Sequence, residues 1–424
     1  MERYKEYKDS GVQWLGNIPS HWEIRRTKYL WQETDRRSEF GSEQLLSVSQ
    51  YDGVREAQTD SRSESLKGYK KVKQENLVIN IMLAWLGGLG VSKHEGIVSP
   101  AYCVYKLLDA QNPRYLHYLY RTPLYLAEFA RHSTGIVPSR WRMYTDDFGE
   151  VLTILPPIEE QNRMVAYLDE AISKIDEAIA QQQRMIDLLN ERKQIVINNA
   201  VTKGLEPNTP IKDSGVDYIG LFPSSWVIRR VSSLGKFAKG GNITRDNLQD
   251  EGKPAILYGD IYTKYNISAN EINNHVSAKV AAESVRIYNG DLLMTGSGET
   301  KEDIGKTIVF EGEEAYIGGD VILFRQSSNN SKFLSYALNS QYAKDFRYRE
   351  SKGEIVVHIY ANAIRRLYLA IPNVKEQNII VEYLDKNMAI IDSDIEIIQQ
   401  KITLLQERKQ IIINDVVTGK VKVI

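Results

Sequence analysis

The chain has 424 residues, 42% of them hydrophobic, with 54 Lys and Arg against 55 Asp and Glu. The resulting net charge of −1 excludes a uniformly basic nucleic-acid binder but leaves room for local basic faces. The single cysteine, Cys103, excludes an intrachain disulfide, and the charged opening MERYKEYKDS excludes a signal peptide, so a reducing, cytoplasmic setting and no membrane are expected.

In chain order, the first feature is Lys8–Arg26, KDSGVQWLGNIPSHWEIRR. Ser10-Gly11 and Pro19 read as turns, and Trp14, Leu15, Ile18 and Trp22 as apolar anchors that pin a domain to something else. Strands are expected at Gln44–Ser49, Leu77–Met82 and Ala101–Lys106, and a helix over Pro113–Arg131. The longest apolar run, Leu77–Val91, is too short to span a membrane and holds Asn80 and three glycines, so it reads as a buried strand and turn. Pro156-Pro157 then introduces a long helix, Glu160–Thr202.

After Gly204 the pattern starts again. Lys212–Arg230, KDSGVDYIGLFPSSWVIRR, repeats the opening motif at an offset of 204, with Tyr218, Ile219, Phe222 and Trp226 as its anchors. Strands are expected at Ala255–Tyr258, Asp291–Thr295, Thr307–Phe310 and Asp320–Arg325, and a helix over Ser331–Arg347. Pro372-Asn373 precedes a second long helix, Glu376–Thr418, which repeats the first at an offset of 216. Asn373 and Glu376 have the spacing of a capping box. Gly204 and Gly419 are placed as C-terminal stops.

Both long helices carry apolar residues at alternating intervals of four and three. The first seam runs Leu168, Ile172, Ile175, Ile179, Gln182, Ile186, Leu189, Lys193, Val196, Ala200. The second runs Leu384, Met388, Ile391, Ile395, Ile398, Ile402, Leu405, Lys409, Ile412, Val416. This heptad pattern predicts two helices packed on each other as a rod of about 60 Å. The order motif, domain, helix, motif, domain, helix closes most simply when the helices run antiparallel about a pseudo-twofold axis and the two ends of the chain meet. The expected fold class is therefore α+β: two globular domains of mixed, β-rich fold, separated by an antiparallel two-helix coiled coil. The expected divisions are 1–155, 156–204, 205–370 and 371–424. The scaffold segments are nearly duplicated while the domains share only an outline, as when each domain reads a different target.

A search for catalytic chemistry finds no candidate residue. Gly298–Thr307, GETKEDIGKT, has the GKT of a phosphate-binding loop, but Thr300 stands where its first glycine is required. The six histidines are scattered and Cys103 is alone, so no metal ligand set is predicted. What remains is polar, basic loops interleaved with aromatics, suited to phosphates and base edges. In the first domain the candidate DNA contacts are Lys70, Lys71, Lys73, Lys93, Arg140, Trp141, Arg142 and Tyr144. In the second they are Lys239, Arg245, Tyr258, Tyr262, Lys264, Thr295, Ser297, Lys301, Lys306, Arg347, His358 and Tyr360. Lys193 and Lys409 are the odd members of the seams. Either they snorkel past it, or the helices part there and Glu191, Arg192, Lys193, Glu407, Arg408 and Lys409 meet a partner protein.

The paired KDSG segments ending in P-x-x-W, and the paired helices with EQN, YLD and ERKQ, resemble the specificity subunit of type I restriction–modification systems. The resemblance covers nearly the whole chain. It implies two target-recognition domains, each reading half of a bipartite, asymmetric double-stranded DNA site. It also implies helices that set the unread spacer and dock two modification (methyltransferase) subunits, with restriction (motor-nuclease) subunits joining a larger complex. On this resemblance the chain has no catalysis of its own, and S-adenosylmethionine is expected on the methyltransferase partners. The competing reading is a coiled-coil adaptor without DNA specificity.

Overall fold

The computed structural model describes residues 2–57, 65–137, 141–301, 304–354 and 356–423. The chain forms two compact units, one of Met1–Gln183 with Gln399–Ile424 and one of Arg184–Ile398. Each unit holds part of both long helices, Ile158–Lys203 and Val374–Val417. Among the described residues no helix is long and apolar enough to cross a membrane.

The first unit is built on a four-stranded antiparallel sheet in the order Trp31–Glu33, Tyr102–Leu107, Leu77–Asn80, Leu89–Val91. The Leu77–Val91 run is thus a buried strand, a short turn and a returning strand. The single helix expected over Pro113–Arg131 is two helices, Pro113–Tyr120 and Pro123–His132. Thr122 caps the second by accepting from the Tyr125 N–H, and Pro123 cannot donate to the turn before it, so the first helix stops.

The second unit repeats this plan. Lys236–Lys239, Val321–Arg325, Leu292–Thr295 and Thr307–Phe310 occupy the same order, and Ser268–Ala269 adds a fifth strand. A second sheet runs Leu248–Gln249, His275–Val276, Lys253–Ile256, Glu314–Ile317, Val285–Tyr288; its smaller counterpart in the first unit is two antiparallel pairs, Leu46–Ser49 with Gly53–Glu56 and Lys70–Val72 with Gly96–Val98, joined by a parallel bridge between Leu45 and Ile97. The helix expected over Ser331–Arg347 is again two, Ser331–Leu338 and Gln341–Glu350. The two units share a core and differ in what is mounted on it.

In both long helices every seam residue named above is buried or half-buried. Within the first unit the start of one helix packs against the end of the other, and Lys409 Nζ lies 2.7 Å from Asp176. Within the second unit Lys193 Nζ lies 2.5 Å from Asp392. Both pairings are antiparallel, and the repeat interval exchanges one ion pair for the other, since Asp176 corresponds to Asp392 and Lys193 to Lys409. The seam therefore does not part at the lysines. Each lysine crosses it to a carboxylate on the facing helix. An ion pair this exposed contributes at most about 1 kcal/mol, so its consequence is register rather than stability.

The helix ends follow the expected punctuation with one difference. Gly204 and Gly419 take positive φ of 76° and 75°, where a side chain would be strained. Asn373 accepts from the Glu376 N–H, but the Glu376 carboxylate does not reach back; it accepts from the Trp226 indole at 2.8 Å. Lys422 N–H donates to Glu2 O, so these two segments of the first unit lie side by side.

Candidate functional site

The duplicated motifs turn out to be mounting hardware. In the first unit Glu160 accepts from Trp22 Nε1 at 3.2 Å and from the Tyr4 hydroxyl, and lies 2.8 Å from a His21 ring nitrogen. Gln161, fully buried, accepts from the Asn112 N–H and donates to Pro156 O. Asn162 accepts from Asn112 Nδ2, and Asp169 accepts from Tyr118 and Arg114. The second unit repeats the glutamine, asparagine and aspartate bonds, Gln377 with Asn330 and Pro372, Asn378 with Asn330 Nδ2, Asp385 with Tyr336 and Lys332, while Glu376 keeps the bond from the tryptophan. The EQN and YLD residues thus clamp each domain's first C-terminal helix onto the long helix. Burial and the Asp385 carboxylate push the Tyr336 phenol well above its usual range, so the bond persists with Tyr336 as donor. The opening motif's tryptophans, Trp22 and Trp226, are buried anchors as expected, and Lys8 and Lys212 donate to the carbonyls of Trp22 and Ser224.

With the domains so held, the candidate DNA contacts separate into exposed and structural residues. In the first unit Lys73, Lys93, Arg142 and Tyr144 are exposed. Trp141 is half-buried against Trp85, their rings 5.3 Å apart. Lys71 is exposed but lies 3.0 Å from Glu43, whose carboxyl falls to about 2 as it accepts from Ser38 and Lys71. Lys70 is buried between Glu33 and Asp35 and reads as structural, a correction to its assignment as a DNA contact. Arg140 lies outside the described residues.

In the second unit Lys239, Arg245, Tyr258, Lys264 and Tyr360 are exposed, and Lys301 sits over the Tyr348 ring at 6.0 Å. Tyr262, Ser297, Lys306 and His358 are a support network instead of a reading surface. Tyr262 donates to Ser297 O, Ser297 Oγ meets His358 Nδ1 at 2.9 Å, and Lys306 donates to Tyr265 O at 2.6 Å and to Tyr262 O. Thr295 is fully buried. Arg347 is also buried: its guanidinium donates to Ile304 O and Leu338 O, and burial lowers its pKa to about 10. These placements correct the assignment of Thr295, Ser297, Lys306 and Arg347 as base or phosphate contacts. The local sequence offered no warning, because burial here comes from strands and helices far apart in the chain. Arg347→Ala is expected to destabilise the second unit by about 2–5 kcal/mol, by opening a cavity and stranding two carbonyls. A lowered urea midpoint with an unchanged slope would show this; unchanged stability with weakened DNA binding would restore Arg347 as a contact.

Three of these exposed candidates, Arg245, Tyr258 and Lys264, line a cavity of about 1030 Å³ together with Asn242, Asp260, Tyr262, Glu299, Thr300 and Asp320 among others. Glycines, Gly298 and Gly318 among them, form part of its lining. A Cβ on Gly240 would stand 1.9 Å from Gly318 O, and one on Gly298 would stand 2.6 Å from the Tyr262 hydroxyl. Glycine is required at both positions for these segments to approach so closely.

The long helices carry a second feature that a single-seam reading misses. Tyr383, Ile390, Ile397, Leu404 and Ile411 recur every seven residues and are 41–63% exposed. They lie two positions after the a residues of the seam, about 200° around the helix from them, on a different face. In the first helix the corresponding positions are Tyr167, Lys174, Gln181, Leu188 and Ile195. The signal was present in the sequence as an uninterrupted period of seven. Glu191, Arg192, Glu407 and Arg408 are exposed, whereas Lys193 and Lys409 are engaged by Asp392 and Asp176.

Residues 223–407, which take in most of the second unit and the second long helix, match the family described as the type I restriction modification DNA specificity domain. That match, spanning less than half of the chain, is where its similarity to the type I DNA-specificity family lies. Its sequence is 23% identical over 290 residues to the type I restriction enzyme MjaVIII specificity subunit of Methanocaldococcus jannaschii, covering 65% of this chain and 63% of that one. It is 24% identical over 458 aligned positions to the putative MjaX specificity subunit of the same organism, covering 100% of this chain and 99% of the relative. The fold is similar to a chain solved in work on complex assembly and conformational transition of the type I R-M system, with a TM-score of 0.70 and 15% identity over 95% of this chain and 99% of that one. The HsdS subunit from Thermoanaerobacter tengcongensis matches with a TM-score of 0.50 and 16% identity over 95% of this chain and 98% of that one. The mixed helix-and-sheet fold and the paired long helices agree with the sequence-based expectation.

Proposed function

We propose that the chain is the DNA-sequence specificity subunit of a type I restriction–modification complex, with each unit reading one half of a two-part, asymmetric duplex site. The observation that carries this reading is the pair of units with one strand order, one set of clamps and different surfaces. Identical mounting with divergent faces suits two readings of one DNA molecule. The chain itself supplies recognition and no catalysis. Chemistry and S-adenosylmethionine belong to two modification subunits, and restriction subunits complete the assembly.

The modification subunits dock along the second long helix through Tyr383, Ile390, Ile397, Leu404 and Ile411. A strict seven-residue apolar period is read by another α-helix, so the occupant is a helical segment of a modification subunit. The exposed Glu191, Arg192, Glu407 and Arg408 then contribute polar contacts at the rim. The reading as an adaptor without DNA specificity is not favoured by the family match.

The test is selection from a randomised duplex pool by the full chain co-purified with its modification subunits. A two-part consensus is expected, and exchanging residues 235–370 for those of a relative should change one part only. Affinity should fall steeply with salt, because each neutralised phosphate releases counterions. No consensus together with a flat salt dependence would favour the adaptor.

A further inference from the structure

We propose that Glu299 is a base-reading residue of the second unit, selecting at one position of its half-site a base that presents an exocyclic amino group, cytosine or adenine. The inference rests on the specificity-subunit reading above and names a residue that the basic and aromatic pattern of the loops does not suggest.

Glu299 is exposed at the cavity and has no ion pair or hydrogen bond among the described residues. That sets it apart from Asp260 in the same cavity. Asp260 is buried and saturated: it accepts from the Leu257 N–H and from Asn274 Nδ2, and lies 2.8 Å from Lys264 Nζ. Asp260 therefore shapes the loop, whereas the Glu299 carboxylate is free to meet a ligand.

The backbone leading to it is also braced. Glu299 follows directly on the short strand Ser297–Gly298, which pairs with Val357–His358. The Ser297 carbonyl accepts from Tyr262 and its hydroxyl meets His358. Gly298 leaves no room for a side chain against Tyr262. Such bracing holds the strand end from which Glu299 continues, a support that base discrimination requires.

The chemistry then narrows the partner. An ionised carboxylate only accepts hydrogen bonds, and next to phosphate it is repelled. In the major groove only cytosine N4 and adenine N6 donate, while guanine N7 and O6 and thymine O4 accept. A carboxylate that meets DNA here is favourable only against one of those amino groups. Arg245, exposed in the same cavity and without an ion pair among the described residues, has the complementary chemistry for the guanine edge of a cytosine–guanine pair.

The experiment compares wild type, Glu299→Gln and Asp320→Asn as full chains co-purified with modification subunits, each selecting from a randomised duplex DNA pool. Asp320 is the control, a second exposed carboxylate lining the same cavity. With Glu299→Gln, one position of one half-site is expected to lose roughly 5- to 150-fold of its discrimination against guanine and thymine and to tilt toward adenine, which glutamine bonds in two places. All other positions should hold, and Asp320→Asn should leave that position alone. An unchanged consensus for Glu299→Gln overturns the proposal, as does a uniform loss of affinity across all sequences or a shift at that position with Asp320→Asn alone. If the wild type selects no sequence, the specificity-subunit reading fails first and this one with it.

Discussion

Glu in place of both Ile397 and Leu404 is expected to release a modification subunit while leaving the chain folded. Both side chains are about 60% exposed and stand off the seam, so their replacement removes nothing from the core. In a complex they would be buried against a facing helix, and each contributes about 1.5–3 kcal/mol when fully removed from water. Losing two, and placing two charges in an apolar strip, should weaken association roughly 100-fold or more. Size-exclusion chromatography of the co-expressed subunits, alongside a melting curve of the chain alone, checks both halves of the expectation. Gln181→Glu on the first helix, at the position that corresponds to Ile397, is the control and should have little effect. A double variant that still co-purifies in stoichiometric amount would move the docking surface elsewhere.

The second large effect concerns spacing. Seven residues inserted after Gln183 and seven after Ile398 should leave both half-sites unchanged and lengthen the unread spacer. The antiparallel ion pairs dictate that both helices be extended together. Asp176 and Lys409 lie on the outer sides of the two insertion points, Lys193 and Asp392 between them, so each pair keeps its register. A heptad adds about 10 Å of helix and keeps the seam in phase. At about 3.4 Å per base pair that corresponds to about three base pairs. Insertion into one helix alone would slide one half of the seam past the other, pulling Lys409 off Asp176 or Lys193 off Asp392, and should destabilise the chain. Mapping methylated positions for the double insertion decides the matter. A spacer that does not change, or half-sites that do, would remove the helices from the control of spacing.

Much of the architecture was legible because the chain repeats itself. The EQN, YLD and tryptophan positions recur at constant intervals, and the structure shows why. Gln161 and Gln377, or Asp169 and Asp385, make the same bonds to the same kind of partner. Helix breaks at Thr122 and Ser340 were missed, since each lies inside a stretch whose apolar period continues across it. The second apolar stripe is masked for a different reason. A helix with two apolar faces carries two overlapping heptads, and a search for one seam stops at the first.

The candidate interface was less legible. Lysines and arginines in polar loops look alike in a sequence, yet Lys93 and Arg245 face solvent while Lys70, Lys306 and Arg347 serve the interior. By itself the sequence determined the α+β class, the duplication and the paired long helices. Each of these depends on local periodicity or on repeated side-chain chemistry. Only the tertiary structure decided the inter-helix register, which cations are spent on carbonyls and carboxylates, and which carboxylates are left open in the cavity. Those outcomes depend on burial, and burial is set by segments tens to hundreds of residues apart that the chain brings together only when it folds.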